Sequence, residues 1–163
     1  MNDQFYEQLV KKKTTVKDIV IYIAAALLSV ALLFLGFLFL GLMILPVICV
    51  IVFLIYHFGL SKLKVEYEYS IVNYDLQIDA IFNKEKRKEL MSINLREAEM
   101  TGPAESLKNV KVDKVMNYTS GASNAKALSI IINKGNLKYN IMIEPDKIMK
   151  EHIKEWSGTR YVN

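Results

Sequence analysis

Between Asp18 and Lys62 the chain has no aspartate, glutamate, lysine or arginine, and this absence dominates what it can be. The uncharged run, Ile19 to Ser61, is built mainly of Leu, Ile, Val, Phe and Ala. One continuous helix of that length would reach roughly 65 Å, about twice a hydrocarbon core of roughly 30 Å, so the run predicts two membrane crossings. Cysteine is almost missing as well. The lone Cys49 leaves no intrachain disulfide and no thiolate pair, and within the apolar run it reads as a small apolar-like side chain. Two histidines far apart, His57 and His152, give no metal-ligand spacing. No G-x-x-x-x-G-K-[ST], G-x-S-x-G or H-E-x-x-H pattern occurs, which excludes those phosphate-binding, hydrolase and zinc signatures. No acidic residue lies inside the run, so a proton relay has nothing to rest on, and His57 beside Tyr56 reads as interfacial.

Thr15 followed by Asp18 has the spacing of a capping box, which starts the first span near Val16 and takes it to about Leu38. The second span is expected from Leu42 or Met43 to Leu60, with Gly36, Gly41 and Pro46 around the reversal. Lys11, Lys12, Lys13 and Lys17 precede the hairpin, Lys62 and Lys64 follow it, and the turn carries no charge. The positive-inside tendency then puts both termini in the cytoplasm of a multi-pass cell-membrane protein. The apolar sequence continues past the length of a secretory signal, so cleavage is not expected. With both ends inside, the sequon Asn117-Tyr118-Thr119 reads as chance. Residues 1–17 form an N-terminal cytoplasmic segment, in which Phe5, Leu9, Lys12 and Val16 have loose helical spacing. They read either as a short helix on anionic lipid or as a solvated tail.

After the hairpin, residues 18–60, the pattern alternates over residues 61–163. Val65, Tyr67, Tyr69 and Ile71 form one strand face, with Lys64, Glu66, Glu68 and Ser70 opposite. Leu76, Ile78, Ala80 and Phe82 follow, with Asp75, Gln77 and Asp79 opposite. Asn83 to Glu85 turn into a third strand through Leu90 and Ile93. Leu95–Met100 is a candidate strand, Thr101-Gly102-Pro103 a breaker, and Val110–Tyr118 a strand whose alternation slips as at a bulge. Residues 119–124 read as a loop. Ala127–Ile132 and Leu137–Ile143 form a hairpin around Lys134-Gly135-Asn136. Ile148, Met149, His152, Ile153 and Trp156 lie on one helical stripe between Pro145 and Gly158, which makes His152 and Trp156 packing residues. The expected fold class is a two-helix transmembrane hairpin followed by an α+β domain of about seven antiparallel strands and a C-terminal helix.

The segment Tyr67-Glu68-Tyr69-Ser70-Ile71-Val72-Asn73, then Leu76-Gln77-Ile78, the charged turn from Asn83 to Glu89 and Ser92-Ile93-Asn94-Leu95 resemble the opening of bacterial pleckstrin-homology-like (PH-like) domains. Glu144-Pro145-Asp146 before a helix is similar to small relatives in which a two-span hairpin precedes the domain. The resemblance covers most of Ser61 to Trp156. It implies an interaction fold of unknown specific function, with no shared catalytic residues and no cofactor.

Lys84, Lys86, Arg87 and Lys88 are interrupted by Glu85 and Glu89, and read first as a solvated turn. Together with Lys11, Lys12, Lys13, Lys17, Lys62 and Lys64 they are the candidate contacts to anionic lipid. Asp75 and Asp79 opposite Glu66 and Glu68 imitate a paired-carboxylate site, but exposed strand faces carry such residues routinely. Over residues 61–163 there are 17 basic and 14 acidic residues, a net charge of +3 that is too mild for a nucleic-acid partner. The expectation is a non-catalytic, membrane-tethered interaction or scaffold module whose partners are the bilayer and a protein or a second copy. The alternatives are an accessory subunit of a membrane enzyme or transporter, and a scaffold associating through Ala24, Ala25, Ala26 and Ser29.

Overall fold

The computed structural model describes residues 5–59, 64–123 and 125–162. The chain divides into two compact units. One comprises Thr14–Val65 and Phe82–Glu85, the other Met1–Lys13, Glu66–Ile81 and Lys86–Asn163.

In the first unit, helix α1 spans Val16–Leu40 and begins with the capping box its sequence predicts. The Asp18 amide donates to the Thr15 hydroxyl at 3.3 Å, and the Asp18 carboxylate accepts from the Thr15 amide at 2.8 Å. These two bonds satisfy donors that an α-helix leaves open at its start. Gly41, at φ +64°, closes α1 with its amide on the Phe37 carbonyl, a backbone conformation that disfavours residues bearing a Cβ. A 3-10 turn, Gly41–Ile44, leads into α2, Leu45–Leu54, and a π turn, Ile55–Gly59. Pro46 sits in the first turn of α2, where its missing amide costs no helical bond. Gly36, expected near the reversal, lies inside α1.

Helices α1 and α2 contact each other, and Ile48 is the buried residue of α2. No described side chain of α1 is buried. Among the described residues, the Val16–Leu38 stretch is the one helix long and apolar enough to cross a membrane. The second apolar stretch, Leu45–His57, is shorter than its sequence predicts because the 3-10 turn and Pro46 delay its start. Its expected end at Leu60 lies outside the described residues.

The second unit contains two four-stranded sheets. The first has the order β1-β2-β3-β4, with β1 Phe5–Lys11, β2 Val65–Val72, β3 Asp75–Phe82 and β4 Lys86–Asn94. The second has the order β5-β7-β8-β6, with β5 Met100–Pro103, β6 Lys114–Asn117, β7 Leu128–Lys134 and β8 Leu137–Ile143. Among the described residues seven strands follow the apolar helices, the number expected though not the same set, and an eighth precedes them. The N-terminal segment is neither a helix nor a tail. It is β1, paired antiparallel with β2 from Phe5↔Val72 to Lys11↔Glu66. Val10 is buried and Tyr6 and Gln8 half-buried, while Phe5, Glu7, Leu9 and Lys11 face out. The four-residue spacing of Phe5 and Leu9 fits a strand face as well as a helix face.

Tyr69, Ile71, Leu76, Ile78, Ile130, Ile141 and Ile143 lie in the core, as their alternation predicts. Elsewhere the strands differ from expectation. Leu95–Glu97 is a 3-10 turn capped by the Asn94 side chain. Thr101-Gly102-Pro103, read as a breaker, lies within β5. The bare Gly102 Cα admits the C-terminal segment there: the Val162 amide donates to the Thr101 carbonyl at 2.7 Å, and a Cβ on Gly102 would stand 2.6 Å from the Val162 oxygen. Only Lys114–Asn117 of the expected Val110–Tyr118 strand is extended, and it pairs parallel with β8, so the ladders are not all antiparallel.

Helix α3, Lys147–Ser157, is capped by Asp146 and ends at Gly158, φ +54°. It packs on the Leu95–Glu97 turn and β5 through Met149 and Ile153. Ile148, placed on this stripe by its spacing, is 51% exposed, and Ser157 takes a buried position instead.

Candidate membrane-facing surface

Every described member of the predicted basic set is exposed. Lys11 ends β1, and two residues on the Lys13 amide donates to the Ser120 carbonyl at 2.8 Å. Lys17 lies in the first turn of α1. Lys62 lies outside the described residues. The Lys64 carbonyl accepts from the Asn83 amide at 2.9 Å, which sets the β3–β4 turn against the chain just after the second apolar helix. Asn83 and Lys84 take φ values of +51° and +61°, and the Glu85 amide donates to the Phe82 carbonyl at 3.1 Å, the geometry of a type I′ hairpin turn. Lys64 and Lys84 therefore come together in the unit that holds the apolar helices.

Arg87 behaves differently from the lysines. Its guanidinium donates to Glu68 and lies 3.7 Å from Asp79, carboxylates of residues 6% and 2% exposed. The carboxamide of Gln77 donates to both Asp79 oxygens, at 3.1 and 3.2 Å. Of the four acidic residues that imitated a paired-carboxylate site, Glu68 and Asp79 thus host the Arg87 guanidinium.

A polar junction between β8 and α3 leaves no pattern in the sequence apart from Glu144-Pro145-Asp146. The Tyr6 hydroxyl donates to the Asp146 carboxylate, the Gln8 carboxamide donates to the Glu144 carbonyl at 3.0 Å, and the Asp146 amide donates back to Gln8 at 2.8 Å. The Glu144 carboxylate accepts from the Ser120 amide at 3.0 Å, so the loop that holds Lys13 is fixed to the same junction. The buried Tyr69 hydroxyl donates to the Tyr118 carbonyl, and burial pushes its pKa well up. Tyr6 is pushed up by its hydrogen bond to the Asp146 carboxylate. These contacts tie β1 to the end of the domain's second sheet.

A cleft of about 390 Å³ opens beside the start of β7, with Pro103, Ala104, Leu128 and Pro145 in its walls and Glu105, Lys126 and Lys150 among its polar groups. Among the described residues no group of three or more His, Cys, Asp or Glu side chains is arranged to hold a metal ion.

The chain matches the family described as Bacterial PH-like domain (DUF6106) over residues 2–163. No curated protein and no solved structure matches it. The family match runs through β1 and both apolar helices as well as the later strands. A chain with two four-stranded sheets, a closing C-terminal helix and a match of this extent belongs to the bacterial PH-like domain family.

Proposed function

We propose that the protein is a membrane-tethered PH-like interaction module without catalytic activity of its own, held in the cell membrane by two crossings with both termini in the cytoplasm. The observation that carries this reading is the placement of the apolar helices between two paired strands. The chain leaves β1 at Lys11 and returns to β2 at Glu66, its Cα partner. If α1 crosses a bilayer, the chain has to cross back before Glu66, because both ends of the excursion belong to one ladder. The returning arm is short: at about 1.5 Å per residue, Leu45–Gly59 reaches roughly 22 Å, so on this reading the bilayer thins around it or flanking side chains snorkel to the interface. The lysines flanking the hairpin set the orientation. The partners on this reading are the inner lipid surface and a protein or second copy that meets the domain.

Alkaline carbonate extraction of membranes from cells producing the full chain tests the tether, with the expectation that the protein stays in the pellet. Release into the supernatant would overturn it. The interaction half is tested by a photo-crosslinking residue at the exposed Val115 of edge strand β6, expected to give a discrete adduct in intact cells. Absence of any adduct from Val115 and from a second site on β4 would contradict it.

A further inference from the structure

Lys84 is the residue whose conformation and chemistry disagree most. A two-residue type I′ turn needs φ > 0 at both central positions, and Asn-Gly is its favoured filling because glycine adopts that conformation without strain. Here Asn83 takes the first position, and a lysine at φ +61° takes the second. Backbone held in a sparsely populated region carries a cost, which a role for the side chain outside the turn would offset.

The surroundings of the turn say what that need is. Phe82–Glu85 group with the apolar helices and not with the strands that flank them in sequence. Asn83 donates to the Lys64 carbonyl at 2.9 Å, and Lys64 is five residues beyond Gly59, the last residue of the π turn. Fully extended, those five residues span at most about 17 Å, so the turn lies no farther than that from the end of the second apolar arm, within reach of the membrane surface for a lysine's long side chain. Lys64 and Lys84 are both exposed, and the one acidic neighbour inside the turn is Glu85, also exposed.

We infer that Lys84 is a headgroup-docking residue: the β3–β4 turn holds its ammonium against the anionic lipid surface of the same membrane that α1 enters, with Lys64 beside it. This deepens the proposed tether and rests on it. A compact, hydrated ammonium on a flexible stem is the side chain expected for attraction to an anionic surface without a shaped pocket.

The turn itself supplies an unusually clean test. Lys84→Gly converts the turn to Asn-Gly, so it should leave the fold as stable or raise its unfolding midpoint by about 2–5 °C while deleting the charge. The full chain, with Cys49→Ala and a fluorophore on Glu85→Cys, is reconstituted in nanodiscs of phosphatidylcholine with or without 30% phosphatidylglycerol, each carrying a headgroup-linked quencher. Quenching should be stronger with phosphatidylglycerol, and Lys84→Gly should lower the docked-to-undocked ratio about five-fold, the effect of one lysine near a charged surface. Lys84→Arg should restore quenching. Equal quenching in both lipids, or no loss in Lys84→Gly, would overturn the assignment. Failure of the chain to float with the nanodiscs would instead count against the tether, so the two failures are distinct.

Discussion

Arg87→Met removes the guanidinium that Glu68 and Asp79 share while keeping most of the aliphatic stem. The two carboxylates are almost fully covered, and without Arg87 the polar side chain left on them among the described residues is the Gln77 carboxamide on Asp79. Removing one partner of a buried pair costs about 3–5 kcal/mol, because the remaining charge stays desolvated. The Arg87 side chain is 56% exposed, so solvent already hosts part of its charge, and the expected loss falls to about 2–3 kcal/mol. Trp156 is the sole tryptophan, and its position on α3 makes its fluorescence a report of the domain alone. Urea unfolding of the full chain in nanodiscs, followed at Trp156, gives the change directly. Glu68→Gln in the Arg87→Met background should recover part of the loss, with a coupling of about 1–3 kcal/mol across the cycle. A loss under about 0.5 kcal/mol, or strictly additive single changes, would refute the claim that Arg87 is committed to these carboxylates.

Gly102→Ala places a Cβ against the Val162 carbonyl and should expel the C-terminal segment from β5, costing about 1–3 kcal/mol and exposing the Val162 amide to hydrogen exchange. Unchanged protection at Val162 would contradict that packing. Stability should also fall at alkaline pH. Burial raises the Tyr69 pKa above the ordinary value of about 10, so the folded state holds that proton more tightly than the unfolded chain does. The contribution is therefore complete below about pH 10 and is lost as pH rises towards the folded-state value. Tyr67 and Tyr118, also raised by burial, act in the same direction. Tyr69→Phe should start less stable, because the Tyr118 carbonyl loses its donor, and should show a shallower alkaline decline. A midpoint that stays flat from pH 9 to 11 in the parent chain would exclude this.

The parts of the fold legible in the sequence are those set by near neighbours. Thr15 and Asp18 are three residues apart, and β7 and β8 close around Gly135-Asn136. Strand β2 alternates because one face is buried, whatever its partners are. Strand β1 was hidden because its partner lies beyond the whole apolar hairpin, with Phe5 opposite Val72, and because a four-residue spacing serves either period. Gly102 and Pro103 end a strand by local propensity, but here the absence of a side chain is what lets the distant Val162 approach. The basic set was visible as composition. Its division was not: Lys84 reaches solvent from a strained turn, whereas Arg87 is held by carboxylates that alternation assigns to a solvated face. The junction of Tyr6 and Gln8 with residues 144–146 depends on contacts across most of the chain and has no local signal.

The most direct test of the central claim, that the chain leaves and rejoins one sheet through two membrane crossings, is thiol accessibility in intact cells. Single cysteines replace Met43, 93% exposed at the reversal, or Lys126, exposed on the domain, in a Cys49→Ala background. An impermeant maleimide should label Met43→Cys from outside and reach Lys126→Cys only after the cells are opened. Labelling of Lys126→Cys in sealed cells, or protection of Met43→Cys there together with labelling after lysis, would contradict the account.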